Sequence, residues 1–195
     1  MKRSFDIVFS FVGLIILLPL FIVVGLLIKL TSSGPVFYHQ TRVGYKGKDF
    51  RLFKFRTMKV DADKNGLLTV GGRDPRVTSV GYYLRKFKID ELPQLINVLN
   101  GTMSFVGPRP EVRKYVDLYT EEQRKVLLLK PGITDYASLE YFSENDLLAR
   151  SSDPEATYIN EVMPAKLKLN LKYMNEVGLY TDVKLILRTI GKILF

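Results

Sequence analysis

Lys88-Ile89-Asp90-Glu91-Leu92-Pro93-Gln94 places two adjacent carboxylates just ahead of a helical pattern of Leu92, Leu95, Ile96 and Leu99. Pro93 suits only the first turn of such a helix, where its missing N–H would have no partner anyway. The stretch predicts a helix from Glu91 to about Asn100, closed by Gly101 as a C-cap, with Asp90 at or near the N-cap. The free N–H groups and partial positive charge at that end hold a carboxylate ionised and attract phosphate. Taken alone, the same residues also read as an ordinary cap followed by a first-turn acid. Their surroundings decide.

Immediately upstream, Val80 to Phe87 predicts a short helix carrying Arg85 and Lys86 towards the acidic pair. Downstream, Gly107-Pro108-Arg109-Pro110 brackets an arginine between two prolines. A stiffly held guanidinium suits bidentate phosphate binding, although a structural turn accounts for the same residues. Further upstream, Pro35–Gln40 and Phe50–Arg56 predict a small β-hairpin around the turns at Gly44 and Gly47. The second arm alternates apolar and basic residues. Its Lys54 and Arg56 fit a solvated face, a face on lipid phosphates, or ligands to a substrate phosphate. Asp61 to Arg76 is polar and turn-rich, which suggests a loop over the site.

Beyond the arginine, Glu111–Leu118 predicts a helix, and Thr120 with Gln123 forms a capping-box pattern opening another that Lys130-Pro131-Gly132 stops. Ser143–Met163 reads as a surface segment with at least one helix, and Lys166–Glu176 as a helix. Asp182–Leu194 is amphipathic. Val183, Ile186, Leu187, Ile190 and Leu194 share one face, with Lys184, Arg188 and Lys192 beside it. Core packing and a place in a membrane interface both fit that pattern.

Ile7–Leu30 is almost wholly apolar. Roughly 24 residues at about 1.5 Å each are long enough to cross a bilayer core. Leu18-Pro19 sits in the middle, where proline removes a backbone hydrogen bond and kinks or breaks a helix. Both flanks are basic. Residues 1–30 carry +2, from Lys2, Arg3 and Lys29 against Asp6, leaving +7 of the chain's +9 for the remainder. A spanning helix would send one basic flank outward, against the positive-inside tendency. The expectation is therefore a broken, re-entrant hairpin over residues 1–33, retained in the mature chain, followed by a compact cytosolic, membrane-associated domain over residues 34–195. The fold class expected is mainly α with a small β-hairpin.

The chain lacks cysteine, so disulfides and thiolate metal sites are excluded. His39 is the single histidine, which excludes a Ser-His-Asp triad and a multi-histidine zinc site. A net charge of +9 favours an anionic partner. No nucleic-acid-binding signature accompanies it, so nucleic acid is not expected. A membrane element, an acid pair and basic residues on both sides of that pair point to a lipid phosphate as substrate. The competing expectation is a non-catalytic anchored protein that binds acidic lipids.

At this point the sequence resembles the monotopic phosphoglycosyl transferases, the bacterial sugar transferase family, in its small form. The resemblance rests on Lys2-Arg3 and Asp6, the mid-anchor proline, Gln40-Thr41-Arg42-Val43-Gly44 and Phe53-Lys54-Phe55-Arg56-Thr57-Met58. It continues through Leu84-Arg85, Asp90-Glu91-Leu92-Pro93-Gln94-Leu95, Asn97-Val98-Leu99-Asn100-Gly101, Met103 to Pro110 and Lys130-Pro131-Gly132-Ile133-Thr134. It implies transfer of a sugar 1-phosphate from a UDP-sugar to undecaprenyl phosphate, with release of UMP, at the cytoplasmic face of the bacterial inner membrane. It also implies Asp90 as nucleophile, Glu91 as its helper, and magnesium held by Asp90 and Glu91. Arg85 and Arg109, with Lys54 and Arg56 behind them, become the phosphate ligands. Self-association is left open. Two departures stand out: Leu18-Pro19 where the family usually has Ser-Pro, and Asp135-Tyr136-Ala137-Ser138-Leu139 after Thr134, a region expected to bear on donor choice.

Overall fold

The computed structural model describes residues 1–62, 71 and 74–194. The expected loop from Asp61 to Arg76 falls largely on residues 63–70 and 72–73 and so lies outside the described residues. The fold is mainly helical, with two small two-stranded sheets.

The chain opens with α1, Lys2–Thr31. The break expected at Leu18-Pro19 is not formed: α1 stays helical through Pro19. Proline there removes one N–H, the donor to the Ile15 carbonyl, and the turns on either side carry the helix across the gap. The helix is one-sided in burial. Asp6, Ser10, Val24 and Ile28 are buried, whereas Phe9, Ile15, Ile16, Leu18, Ile22 and Leu26 are exposed. It is the one helix among the described residues long and apolar enough to cross a membrane.

The predicted hairpin is present. β1 (Phe37–Val43) pairs antiparallel with β2 (Asp49–Phe55), with Tyr38 opposite Lys54 and Val43 opposite Asp49. Its two buried residues, Leu52 and Phe55, point to opposite faces and meet two clusters. Phe55 packs with Val24, Ile28 and Leu84, and Leu52 with Val98 and Met103. Burying side chains such as Val24 and Ile28 contributes about 1.5–3 kcal/mol each, which fastens the C-terminal half of α1 to the domain.

α2 (Ser79–Lys86) leads into a 3-10 turn at Ile89–Glu91 and then α3 (Gln94–Asn100). Gly101 closes α3 in the left-handed conformation, φ +86°, as expected. Asp90 is not the N-cap: α3 begins after Pro93 and has no side-chain cap. Lys88, in the left-handed region at φ 55°, starts the 3-10 turn instead, and that turn carries Asp90 into the interior.

A second sheet was not expected. β3 (Ser104–Val106) pairs in parallel with β4 (Gly132–Thr134). Immediately beyond β3, Gly107 and Gly132 meet backbone to backbone. A Cβ on Gly107 would lie 2.2 Å from the Lys130 carbonyl oxygen, and one on Gly132 would lie 2.1 Å from the Gly107 nitrogen. That close approach, closed by a bond from Gly132 N–H to the Pro108 carbonyl (3.0 Å), fixes the path of the proline-bracketed arginine.

The rest is short helices around one core. α4 (Arg113–Val116) and α5 (Glu121–Arg124) precede β4, and α5 has the predicted capping box. After β4 come α6 (Tyr136–Glu140), α7 (Glu144–Ala149), α8 (Pro154–Thr157), α9 (Met163–Asn175) and α10 (Leu179–Leu194). The largest cluster joins Val43, Tyr115, Val116, Val126, Tyr158 and Leu167. α10 is anchored by Leu185 against Val106 and Tyr173, while Leu187, Ile190 and Leu194 remain exposed.

Candidate active site

Asp90 and Glu91 lie side by side in the 3-10 turn, 6% and 9% exposed. Their surroundings differ. Arg109 grips Glu91 with two bonds, Nη2 to Oε1 at 2.5 Å and Nη1 to Oε2 at 3.2 Å, and Lys54 Nζ adds a third to Oε1 at 3.0 Å. Burial on its own pushes the Glu91 carboxyl up, but Arg109 and Lys54 outweigh it and hold the pKa well below the usual carboxylate range. Asp90 has no such grip, and its Oδ1 is buried with no hydrogen-bond partner. Burial raises its pKa, and neighbouring Glu91 adds to the rise. Lys54, Arg85 and Lys88 pull against both. The helix-end ionisation expected from the sequence is thus replaced: nearby cations, not a cap, favour the charged form.

Three supports hold this arrangement. Asn97 on α3 accepts the Phe53 N–H (2.9 Å) and donates to the Arg51 carbonyl (2.8 Å), locking β2 beside α3 and placing Lys54 over Glu91. Asp135, fully buried, accepts the Arg109 N–H (3.3 Å) and caps α6 through the Ser138 N–H (2.6 Å). Thr57 Oγ1 accepts Arg85 Nε at 2.8 Å, which turns Arg85 towards the same site.

Of the predicted phosphate ligands, Lys54, Arg85 and Arg109 converge on the acid pair. Arg56 lines the same cavity but has another duty. Its Nε bonds the Pro35 carbonyl (2.6 Å), Nη1 the Ser33 carbonyl (2.5 Å), and Nη2 the Ser32 carbonyl and hydroxyl (3.0 Å each). All three nitrogens are committed to the backbone where α1 leaves for β1. Asp135 and Asn97 were not singled out as site residues from the sequence, although Asp135 opens the stretch expected to bear on donor choice and Asn97 lies in one of the stretches that carry the family resemblance.

The acid pair faces a cavity of about 770 Å³. Its lining joins charged residues, Arg42, Lys54, Arg109 and Lys166, with apolar ones, Leu92, Ile133, Ile186, Ile190 and Ile193. A bound amphiphile could therefore place a phosphate on the cations and its hydrocarbon along α10.

Two carboxylates and no group of three Asp, Glu, His or Cys residues occur here among the described residues. The unpartnered Asp90 Oδ1 fits a divalent cation completed by substrate oxygens and water, whereas both Glu91 oxygens are taken by Arg109 and Lys54.

The family model for the bacterial sugar transferases matches residues 1–195. The chain belongs to the bacterial sugar transferase family. It is 37% identical over 196 residues to the Escherichia coli (strain K12) UDP-glucose:undecaprenyl-phosphate glucose-1-phosphate transferase, covering 98% of this chain and 40% of that protein. It is 36% identical over 196 residues to the Aeromonas hydrophila UDP-N-acetylgalactosamine-undecaprenyl-phosphate N-acetylgalactosaminephosphotransferase, covering 99% and 43%. A Bacillus subtilis (strain 168) sugar transferase, EpsL, is 36% identical over 194 residues, covering 100% and 87%. The chain spans about two fifths of the length of the first two relatives and most of the length of the third.

Proposed function

We propose that this bacterial sugar transferase moves a sugar 1-phosphate from a UDP-sugar to undecaprenyl phosphate, with Asp90 as nucleophile. The observation that carries this is a buried carboxylate with one oxygen unpartnered, at the base of a cavity whose cations are Lys54, Arg85 and Arg109. An Asp90 oxygen attacks the sugar-side phosphorus, the bond from that phosphorus to the bridging oxygen breaks, and UMP departs with that oxygen. An oxygen of the lipid phosphate then attacks the same phosphorus. The aspartyl bond breaks and the carboxylate is restored, so the cycle closes without net proton transfer to the protein. Glu91 holds Arg109 and Lys54 in place, where both can face the diphosphate. Magnesium held beside Asp90 and Glu91 would supply charge neutralisation for the diphosphate.

Substrate access follows from α1. Lys2 and Arg3 at its start and Val24 and Ile28 near its end all dock on the same domain. A helix that carried its ends to opposite sides of a bilayer could not keep both sets of contacts. We read α1 as lying within one leaflet, with both of its ends on the side of the domain, the exposed face of α10 in the interface and the domain on the cytoplasmic side of the inner membrane.

The test is UMP formation by the purified chain in nanodiscs with a UDP-sugar panel, undecaprenyl phosphate and magnesium. Asp90→Asn should lose activity by at least about 10³-fold while remaining folded; normal turnover by that variant overturns the nucleophile. The chain lacks cysteine, so a single Ser4→Cys at an exposed position beside Lys2 reports topology without breaking the Lys2 contacts. Labelling from outside by an impermeant reagent overturns the one-leaflet arrangement.

A further inference from the structure

Lys88 stands two residues before the nucleophile; its charge acts on Asp90, but it has no part in the grip on Glu91. It is a side-chain-bearing residue in the left-handed region, φ 55° and ψ 18°. Such a conformation is uncommon outside glycine, asparagine and aspartate, and it clusters where function demands it. The side chain is half-buried and lines the large cavity. Its ammonium lies 5.3 Å from the centre of the Phe142 ring. Lys192, from α10, reaches the same ring at 5.7 Å. Among the described residues neither ammonium has a carboxylate within ion-pair reach, whereas Lys54 and Arg109 hold Glu91, Arg42 meets Glu111 and Lys166 meets Glu144.

The cavity is therefore asymmetric. On the Arg109 side each cation is matched by an acid, and the wall is polar. Around Phe142 two ammonium groups outside any ion pair meet: Lys88, which lines the cavity together with Ile190 and Ile193, and Lys192, which reaches the ring from α10. Opposite α10 surfaces extend this: Leu187 and Leu194 are exposed, in line with a lipid-facing helix. A ligand matching that side carries a dianionic phosphate on a hydrocarbon chain. The polar side matches a nucleotide sugar.

We propose that Lys88, aided by Lys192, is the seat of the acceptor's phosphate, holding it for attack at Asp90 while the isoprenoid runs along Ile190 and Ile193. This rests on the transfer reaction proposed above. Lys88 is on this view an acceptor-binding residue, separate from the donor ligands on the opposite wall.

The experiment uses the full chain in phosphatidylcholine nanodiscs, with undecaprenyl phosphate as the varied acceptor. Two quantities are read: the burst of UMP on donor alone, and the steady-state KM for each substrate. Lys88→Gln should raise the acceptor KM about tenfold or more, the worth of one charge-assisted hydrogen bond, with a donor KM changed less than about threefold. Lys88→Arg should recover most of the loss. Lys88→Gly relieves the backbone but lacks the amine, and should behave like the glutamine variant. Recovery by glycine would show that the position serves the backbone alone and overturns the assignment. So does an equal rise in donor KM, or an unchanged acceptor KM. A second arm adds anionic phosphatidylglycerol. Loss of the wild-type advantage over Lys88→Gln there would make the seat one for bulk lipid headgroups and overturn its tie to the acceptor. Absence of any UMP burst from the wild-type chain instead overturns the underlying transfer reaction.

Discussion

Lys2, the first residue of α1, is ion-paired with Asp182 in the first turn of α10, 180 residues later in the chain. The same ammonium donates to the Val106 carbonyl (3.0 Å) and the Tyr173 hydroxyl (3.1 Å), and Tyr173 donates to Asp182 at 2.5 Å. Asp182 is buried and Lys2 about one-third exposed. Removing the acid leaves a partly buried ammonium and a buried hydroxyl short of a partner. Asp182→Ala should therefore destabilise the protein by about 1–3 kcal/mol, at the lower end because solvent reaches Lys2. Thermal unfolding in nanodiscs checks this, and an unchanged midpoint would count against the clamp.

The proposed nucleophile should be a stability liability. The Asp90 carboxyl is raised by burial, so the folded chain holds its proton more tightly than the unfolded chain does. Stability contributed by the neutral form is present below the unfolded value of about 3.9 and is lost as pH rises through the higher folded value. Asp90→Asn removes that loss. Its melting point should exceed the wild type's at neutral pH, and the margin should close in acid. A variant that melts lower at neutral pH would refute this.

The acid limb of the pH–rate profile should report Asp90. Activity requires the carboxylate, so kcat/KM for the donor should fall with acid at an apparent pKa above the ordinary carboxylate value. Lys54 is the strongest single charge opposing that rise. Lys54→Met should move the limb to higher pH as well as slow the reaction. A shift to lower pH would mean that another group sets the limb.

Asp135 should act through Arg109 without touching substrate. Asp135→Ala loses both the bond to the Arg109 N–H and the cap of α6, the cap being worth about 1 kcal/mol. A misplaced guanidinium should lower donor kcat/KM by about 10–100-fold. Asp135→Asn keeps an acceptor oxygen and should recover part of it. Equal defects in the two variants would make the charge, not the geometry, responsible.

Arg56→Lys should be poorly tolerated despite the conserved charge. An ammonium cannot span the three carbonyls and the hydroxyl that the guanidinium fork holds around Ser32, Ser33 and Pro35. A loss of about 0.5–1.5 kcal/mol for each bond that the ammonium cannot remake is expected, again read from thermal unfolding.

Local signals were legible in the chain. The αL cap at Gly101, the capping box at Thr120, the hairpin and the helix bearing Arg85 all depend on neighbours within a few residues, and all formed. The β3–β4 pairing depends on Ser104 meeting Gly132 across an intervening pair of helices, and strands of three residues have no periodicity to read. Asp90 misled for a related reason: Lys88 adopts a backbone that its residue type does not advertise, and that turn redirects the acid. Lys54 and Arg56 look equivalent because they are two apart on one strand pattern. β2 ends at Phe55, so alternation stops before Arg56, and the chain beyond the strand decides where it goes. The acidic and basic residues of the site could be listed from sequence; which cation grips which acid could not, because that is set by the contact of α3, β2 and the Gly107–Gly132 crossing.

The guanidinium of Arg56 fuses the exit of α1 to the end of β2, one residue beyond Lys54. With the start of α1 pinned as well, no flexible tether separates α1 from the acid pair. On the membrane placement proposed above, the height of Asp90 relative to the lipid headgroups is then a fixed dimension of the molecule, as a jig fixes the depth of a cut. Replacing α1 by an unrelated hydrophobic helix would preserve attachment to the bilayer yet lose that calibration, and a water-soluble substrate and one confined to the leaflet would no longer meet at the same carboxylate.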